Sequence, residues 1–323
     1  MLCTSAQMRE VLDTVTRVAD TDVAVLVRGE SGTGKNLVAR AVHSASPRCE
    51  RSFVKVNCAG MPAELLEAEL FGFERGAFTG AIQHKPGKFE FANKGTMFLD
   101  EISEIGPSLQ SKLLQVLQDG EFARLGGRQG VKVNVRVITA TNRDLERAVA
   151  EGQFREDLYF RLNVLCITLP PLRQRRDEIT PLTQYFLHHY SEHYNKTPLT
   201  LATDTLRLFN EYDWPGNVRE LENLVKRMVI LGTDASIRGE VAEAMTGRTA
   251  QLGPIPIVEQ AATTPVGSLK DIGRSAARGA ERQLIYRTLQ QTRWNRRAAA
   301  ELLGISYKAL LYKIKESELG KAS

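Results

Sequence analysis

One eight-residue stretch constrains the fold of this chain more than any other. Its residues are Gly29, Glu30, Ser31, Gly32, Thr33, Gly34, Lys35 and Asn36. The apolar run 23–27 precedes it and the helical pattern 37–44 follows, which is the order strand, glycine-rich turn, helix. Glycines let successive backbone N–H groups point at an anion, and the helix presents its positive end to the same anion. The stretch therefore predicts a phosphate-binding loop rather than a flexible surface turn, with Lys35 as a point charge for the outer phosphates.

The residue after this lysine is unusual. Ser or Thr at this position binds Mg²⁺ through its hydroxyl, whereas this chain has Asn36. An amide oxygen also accepts a metal or a metal-bound water, but the Asn side chain is longer than that of Ser. Asn36 is therefore a possible metal ligand with altered geometry.

The composition is that of a soluble globular protein, for which a cytoplasmic location and no membrane partner are expected. It has 323 residues, enough for two or three domains, and its four cysteines form no C-x-x-C pair. No apolar run reaches the length needed to span a bilayer, and the N-terminus lacks the regions of a signal peptide. We therefore expect neither a disulfide framework nor a cysteine metal site.

A pair of carboxylates ends the apolar run 95–99. Asp100 is predicted to hold Mg²⁺ through water, and Glu101 to polarise the attacking water as general base. The alternating pattern 131–139 predicts a strand or one arm of a hairpin, after which comes Asn142. Because parallel strands present ligands at their carboxyl ends, we expect the Asn142 amide to face the γ-phosphate or its water; the alternative is a plain turn.

A glycine-rich segment with aromatic side chains follows the helical pattern 63–70. Its core is Gly76, Ala77, Phe78, Thr79, Gly80 and Ala81. Two interpretations fit the residues: an exposed loop hinged at glycines, and an ordinary turn that buries Phe78. The residues alone do not choose between them.

Helical patterns dominate after residue 153, apart from a last short strand predicted over 165–169. Arg155 and Arg161 lie in the pattern 154–161 on different sides of a helix, which suits two separate anion contacts or two surface salt bridges. Beyond Pro170 and Pro171 the patterns 179–194, 204–212 and 218–231 are all helical. Asn217 is expected to cap the helix that carries Arg219.

The C-terminal end holds the positive charge of the chain. Residues 268–323 contain 12 basic and 5 acidic side chains, a net +7, whereas the whole chain carries +5. A long helix is predicted over 269–291, then a helix ending at Gly304 and another over 307–315 capped by Ser306, which is helix–turn–helix spacing. A helical hairpin with a charged face is the alternative. The candidate DNA contacts are Ser306, Tyr307, Lys308 and Lys313, with Arg296 and Arg297 as backbone clamps.

These motifs together resemble the central AAA+ domain of bacterial enhancer-binding proteins, the NtrC-type activators of sigma-54 RNA polymerase. The most specific motif is the segment 76–81, which in this family contacts sigma-54, so the resemblance favours the exposed loop. The C-terminal segment closely resembles the Fis-type DNA-binding domain of the same family.

The resemblance implies roles for single residues. Residues 29–36 correspond to the Walker A loop and Asp100 with Glu101 to Walker B. Asn57 sits where the family has a switch residue that restrains the catalytic glutamate, Asn142 resembles sensor I, and Arg219 resembles sensor II. Arg155 and Arg161 look like arginine fingers supplied to the ATP of a neighbouring subunit. The family often has Glu after the Walker A lysine, so Asn36 departs from this pattern too.

The implied organisation has four parts. We expect an α/β AAA+ subdomain with a parallel sheet over 1–170, a helical lid over 171–245, a linker over 246–267 and a Fis-type helix–turn–helix domain over 268–323. The implied cofactors are ATP and Mg²⁺. The implied partners are sigma-54 RNA polymerase holoenzyme, double-stranded DNA with an upstream inverted repeat, and further copies of the chain, from dimer to hexameric ring. The family usually carries an N-terminal sensory domain, so we expect this sequence to be excised from a longer protein rather than to lack a sensor naturally.

Two other functions compete with an activator. The first is a DNA-binding repressor with a vestigial ATPase, which Asn36 favours and the carboxylate pair disfavours. The second is an AAA+ machine that works on DNA itself, which the segment 76–81 disfavours.

Overall fold

The computed structural model describes residues 5–197, 199–245, 288, 292, 295–303, 305 and 307–316. The chain divides into two compact units, residues 1–250 and residues 251–323. Within the described residues no helix is both long enough and apolar enough to cross a membrane.

A parallel five-stranded sheet forms the centre of the first unit. Its spatial order is β2-β5-β8-β1-β9, and every pairing is parallel. The strands are β1 (Val25–Arg28), β2 (Phe53–Asn57), β5 (Thr96–Asp100), β8 (Arg136–Thr141) and β9 (Leu165–Thr168). Because all carboxyl ends lie at one edge, the loops after β1, β5 and β8 meet there. The predicted α/β fold class is confirmed.

Helices cover both faces of this sheet, as the crossover connections of a parallel sheet require. One apolar cluster packs α1 and α2 on the sheet, and another packs the segments between β2 and β9 on the opposite face. The helices of this part are α1 (Ala6–Ala19), α2 (Lys35–Ser44), α3 (Ala63–Phe71), α4 (Lys88–Phe91), α5 (Pro107–Asp119), α6 (Leu145–Ala150) and α7 (Glu156–Leu162).

Two short antiparallel hairpins lie outside the central sheet. They pair β3 (Gly72–Phe73) with β4 (Lys85–Pro86), and β6 (Glu121–Ala123) with β7 (Gly130–Lys132). The pattern 131–139, predicted as a strand or a hairpin arm, contains both with a break between them: its first residues belong to the hairpin strand β7 and its last to the sheet strand β8. A period of two continues through such a break, since alternation does not reveal a change of partner.

A helical lid follows β9. It consists of α8 (Ile179–His193), α9 (Thr203–Glu211), α10 (Asn217–Leu231) and α11 (Ala235–Met245). Its core surrounds the fully buried Trp214, whose indole N–H donates to Phe209 O at 2.8 Å. The helix α11 was not predicted.

The described part of the second unit contains two helices, α12 (Arg296–Leu302) and α13 (Tyr307–Glu316). They pack through Ala299, Ala300, Leu310 and Ile314. The prediction of two short helices here is confirmed. The predicted linker 246–267, and the predicted helix over 269–291 apart from residue 288, lie outside the described residues. The domain boundaries stay a prediction.

Candidate nucleotide-binding site

The glycine-rich loop connects β1 to α2, as predicted. Gly32 and Gly34 have φ angles of +80° and +104°, in the left-handed region that favours glycine. A Cβ on Gly32 would lie 2.2 Å from the carbonyl oxygen of Gly216, so only glycine fits between this loop and the lid. The loop is therefore held in an anion-binding shape by direct contact with the lid.

Lys35 is the first residue of α2 and is buried to 7% exposure. Its ammonium donates to the carbonyl oxygens of Gly29 at 2.9 Å and Glu30 at 3.3 Å. The same nitrogen lies 3.7 Å from Glu101 Oε1. The loop thus fixes one positive charge next to the candidate general base.

Asp100 and Glu101 end β5 beside the loop. Glu101 has a φ of +55°, a left-handed conformation that is uncommon outside glycine, and this turn places its carboxylate in the cavity. Glu101 Oε2 accepts from the backbone N–H of Asn142 at 3.3 Å. Asn142 therefore contacts the candidate base through its backbone, whereas we had expected its side-chain amide to act.

A cavity of about 210 Å³ joins these elements. It is lined by Ser31, Gly32, Gly34, Lys35, Asn36, Leu37, Lys55, Asp100, Glu101, Val218, Arg219 and Glu222. Asn36 Oδ1 is buried and has no hydrogen-bond partner among the described residues. Asn36 and Asp100 line the same cavity, and an unpaired amide oxygen with a carboxylate is the kind of donor set that Mg²⁺ prefers, so the residues present fit this metal.

Asn57 ends β2 directly opposite Asp100 in the strand register. Its Oδ1 accepts from the N–H of Ala59 at 3.2 Å, at the start of the 3-10 turn Cys58–Gly60. The described residues show no hydrogen bond between Asn57 and Glu101. The switch role implied by the resemblance stays a prediction.

The lid contributes Arg219 on α10. Its guanidinium donates to Ser31 Oγ at 2.9 Å, so the predicted lid arginine does reach the loop. Glu30, predicted as a nucleotide contact, instead binds the lid side: Arg173 donates to its Oε2 at 2.8 Å and Asn217 Nδ2 to the same oxygen at 3.1 Å. The Arg173 guanidinium, and then the Asn217 amide, lower the pKa of Glu30 to about 2. This carboxylate therefore stays ionised at neutral pH.

Asn217 does not cap α10, so that prediction is wrong. The residue is fully buried at a φ of +54°, and the N-cap position belongs to Gly216. Its side chain accepts from Leu172 N–H at 2.8 Å and donates to Ser31 O at 3.0 Å as well as to Glu30. The local capping rule predicted a bond to the helix, but the Asn217 side chain instead binds residues that are distant in the sequence.

A buried ion pair between Arg175 and Glu178 contacts the phosphate-binding loop, and the sequence analysis did not predict it. Arg175 donates to Thr33 O at 2.8 Å and to Glu178 Oε2 at 3.0 Å. Glu178 also accepts from the hydroxyl of Ser5 at 2.8 Å, just before α1. Arg175 and Glu178 are 4% and 1% exposed, and no local pattern in the sequence signals this pairing. Lys55 was missed too, although the period of two along β2 places it on the same face as Asn57.

Arg155 and Arg161 are not part of this cavity. Arg155 precedes α7 and pairs with Asp157 at 2.7 Å, whereas the Arg161 guanidinium donates to Leu117 O at 2.8 Å. Arg161 lines a different cavity, of about 530 Å³, with Asp22 and Val164. Both arginines therefore lie outside the phosphate site of this chain.

The segment 76–81 forms a loop between β3 and β4. Its ends meet where Gly76 N–H donates to Ala81 O at 2.9 Å, and Gly76 and Gly80 have φ angles of +83° and +111°. Phe78 is 46% exposed and packs edge-on against Phe73, with ring centroids 4.9 Å apart. The exposed-loop interpretation therefore fits better than a turn that buries Phe78.

The candidate DNA contacts are described only in part. Arg296 at the start of α12 is exposed, and Tyr307 and Lys308 at the start of α13 are exposed too. Ser306 and the side chains of Arg297 and Lys313 lie outside the described residues.

Three family models match consecutive parts of the sequence. They are the sigma-54 interaction domain over residues 1–168, the AAA+ ATPase lid domain over 173–249 and the bacterial regulatory protein, Fis family, over 277–316. The first covers more than half of the chain.

Relatives with assigned names match nearly the whole chain. It is 47% identical to the Nif-specific regulatory protein of Azotobacter vinelandii, over 95% of this chain and 56% of that protein. It is 43% identical to the regulatory protein AtoC of Escherichia coli strain K12, over 98% of this chain and 67% of AtoC. The chain thus spans little more than half the length of the Azotobacter protein.

Solved structures agree with the sequence matches. Crystal structures of NtrX from Brucella abortus in complex with ADP and with ATP each superpose with a TM-score of 0.71 at 33% identity. The alignments cover 98% of this chain and 70% and 69% of the respective NtrX chains.

Proposed function

Because the chain belongs to the family of bacterial sigma-54-dependent transcriptional activators, we propose that it hydrolyses ATP to remodel sigma-54 RNA polymerase at promoters. The observation that carries this proposal is the joint presence of a phosphate-binding site with a candidate base and an exposed aromatic loop in one unit. The site supplies the energy-yielding reaction, and the loop supplies a surface for the polymerase.

Hydrolysis at this site follows from the positions of its charges. Backbone N–H groups of residues 29–34 and the Lys35 ammonium bind the phosphates, and Glu101 accepts a proton from the attacking water. When bound, Mg²⁺ neutralises charge on the phosphates, and Asn36 and Asp100 would hold it. Asn142, through its N–H, orients the Glu101 carboxylate. The likeness to NtrX, which was crystallised with ADP and with ATP, supports nucleotide binding by this chain.

Several copies of the chain would assemble into a ring, which we expect to be a hexamer, and would act together in hydrolysis. Arg155 and Arg161 lie outside the cavity of their own subunit, which supports a role at the nucleotide of a neighbour. A lone subunit would have the loop and the base but no arginine on the γ-phosphate, and such an arginine is worth roughly 10³–10⁵ in rate. Assembly would therefore switch hydrolysis on.

DNA binding would bring the ring to its promoter. The basic C-terminal unit places Arg296, Tyr307 and Lys308 on exposed positions, and the Fis-type match supports a helix–turn–helix. Such modules bind as dimers, so we expect an inverted repeat upstream of the promoter, with Arg297, Ser306 and Lys313 as further contacts.

The substitution Phe78→Ala tests this function. Because Phe78 is exposed and is not among the residues that line the phosphate cavity, the variant should hydrolyse ATP at the normal rate. It should not open a sigma-54 promoter, which a reconstituted transcription assay measures.

The matched control is Ile82→Ala, which removes an even more exposed apolar side chain, 78% exposed, just outside the segment 76–81. It should retain promoter opening. Normal transcription by Phe78→Ala would remove this loop from the proposed mechanism. Strand separation by the wild type without polymerase would favour a machine that works on DNA itself.

A further inference from the structure

Lys55 lies in the phosphate cavity although it belongs to none of the nucleotide-binding motifs. In the register of β2 with β5, Lys55 stands opposite Phe98 and Asn57 opposite Asp100. The Lys55 ammonium reaches diagonally to Asp100, with Nζ 3.4 Å from Oδ2. Lys55 is therefore a second ammonium in the cavity besides Lys35, and it contacts the carboxylate that is proposed to hold Mg²⁺.

We propose that Lys55 is a positioning residue that neutralises Asp100 until Mg²⁺ displaces its ammonium. The inference rests on the proposed nucleotide site. It makes the Mg²⁺ requirement of this chain a property of a side chain on β2, outside the phosphate loop.

The charges in the cavity support this exchange. Each carboxylate at the end of β5 has its own ammonium: Lys35 lies beside Glu101, and Lys55 beside Asp100. Asn36 adds an oxygen but no charge. A cation that approaches Asp100 therefore meets an already neutralised carboxylate, and Mg²⁺ must compete with Lys55 for it.

The pair is weak enough to be exchanged. The side chains of Lys55 and Asp100 are 37% and 20% exposed, so water screens their attraction. A divalent ion attracts the carboxylate about twice as strongly as a single ammonium at equal distance. The ammonium also lies 5.8 Å from the centroid of the Phe98 ring, which keeps the side chain over the cavity.

Loss of the ammonium should act in two opposite directions. Without Mg²⁺ the phosphates lose a nearby cation, so nucleotide binding weakens. With Mg²⁺ the metal no longer competes for Asp100, so the gain in affinity from the metal becomes larger. A residue that only stabilised the strand would weaken both forms alike.

The experiment uses Lys55→Met in the 323-residue chain, because Met keeps an unbranched apolar side chain against Phe98. Dissociation constants for ADP are measured with EDTA and with saturating Mg²⁺, and the ratio of the two is the metal enhancement. For Lys55→Met we expect this ratio to rise about twofold to fivefold above the wild-type value, which is the range of an exposed ion pair. Lys55→Arg should restore the wild-type ratio.

Lys112→Met is the matched control. Lys112 pairs with Glu67, its side chain is 39% exposed, and it does not line the phosphate cavity. An unchanged or smaller ratio for Lys55→Met, or an equal rise for Lys112→Met, would overturn the inference. Failure of the wild-type chain to bind ADP at all would instead overturn the proposed function.

Discussion

At the scale of single residues, Glu101 shows how backbone and side chain cooperate in this site. The left-handed turn at Glu101 swings its carboxylate back toward Lys35, and the N–H of Asn142 holds one of its oxygens. With the backbone angles of a regular strand, the side chain at position 101 would not point toward Lys35. The candidate base is therefore positioned by its own φ angle and by the neighbouring strand β8.

Glu101→Gln tests this role without changing the shape of the side chain. The amide cannot accept the proton of the attacking water, so turnover should fall by about 10²-fold or more. Binding of ATP should remain close to that of the wild type. Parallel measurements of ATP affinity and phosphate release check both statements.

Glu104→Gln is the control for this substitution. Glu104 ends the 3-10 turn Ile102–Glu104 that follows Glu101, and it pairs with Arg143 at 2.9 Å, outside the phosphate cavity. Turnover of Glu101→Gln close to that of Glu104→Gln would remove Glu101 as the base.

Single residues also mark how far sequence reasoning reached. The loop and the Asp100–Glu101 pair could be found because their signals are local: a fixed spacing of glycines and an apolar run that ends in carboxylates. Lys55, Arg173 and Arg175 were missed because their partners lie up to 143 residues away in the chain. A charged residue in a strand or turn looks the same whether it faces water or a nucleotide.

At the scale of elements, the phosphate loop and the lid form one joint. Asn217 binds Glu30 and Ser31 of the loop and the backbone of Leu172 at the entrance to the lid. Helix periods predicted the helices α8 to α10 well, but no periodic pattern describes a contact between two turns. Asn217 was assigned to a cap for this reason, since Asn before a helix usually fills that position.

Asn217→Ala should loosen this joint. The variant leaves the buried Leu172 N–H without a partner and places Ala at a positive φ, so unfolding should become easier by about 1–3 kcal/mol. ADP affinity should fall as well, because Glu30 and Ser31 each lose one of the hydrogen bonds that hold the loop. Thermal melting with and without ADP measures both effects.

Two further variants sharpen this test. Asn217→Gly removes the same hydrogen bonds but tolerates the backbone angle, so it separates side-chain loss from backbone strain. Asn210→Ala removes a hydrogen bond within α9, to Leu206 O, and should leave ADP affinity unchanged. An Asn217→Ala variant with wild-type ADP affinity would contradict the joint.

At the scale of the whole molecule, the separation of the arginines from the cavity has a measurable result. If each active site combines Glu101 of one subunit with Arg161 of the next, the variants Glu101→Gln and Arg161→Ala should each be inactive. An equal mixture should regain up to about a quarter of wild-type activity, because one interface in four then joins two intact contributions.

Rates per subunit should also rise with protein concentration in the wild type. Sizing runs at the same concentrations show whether assembly accompanies the rise. A mixture as inactive as its components, at concentrations where the sizing runs show assembly, would contradict sites shared between subunits.

The left-handed conformation of Glu101 has a consequence for the evolution of related chains. A non-glycine side chain in this conformation costs of order 1–3 kcal/mol relative to glycine. Mutation at this position therefore favours Gly and Asn unless selection maintains ATP turnover. A lineage that kept only DNA occupancy would lose this glutamate early and become more stable by doing so. In a set of related chains, the residue at this position can therefore distinguish proteins that hydrolyse ATP from regulators that have lost hydrolysis.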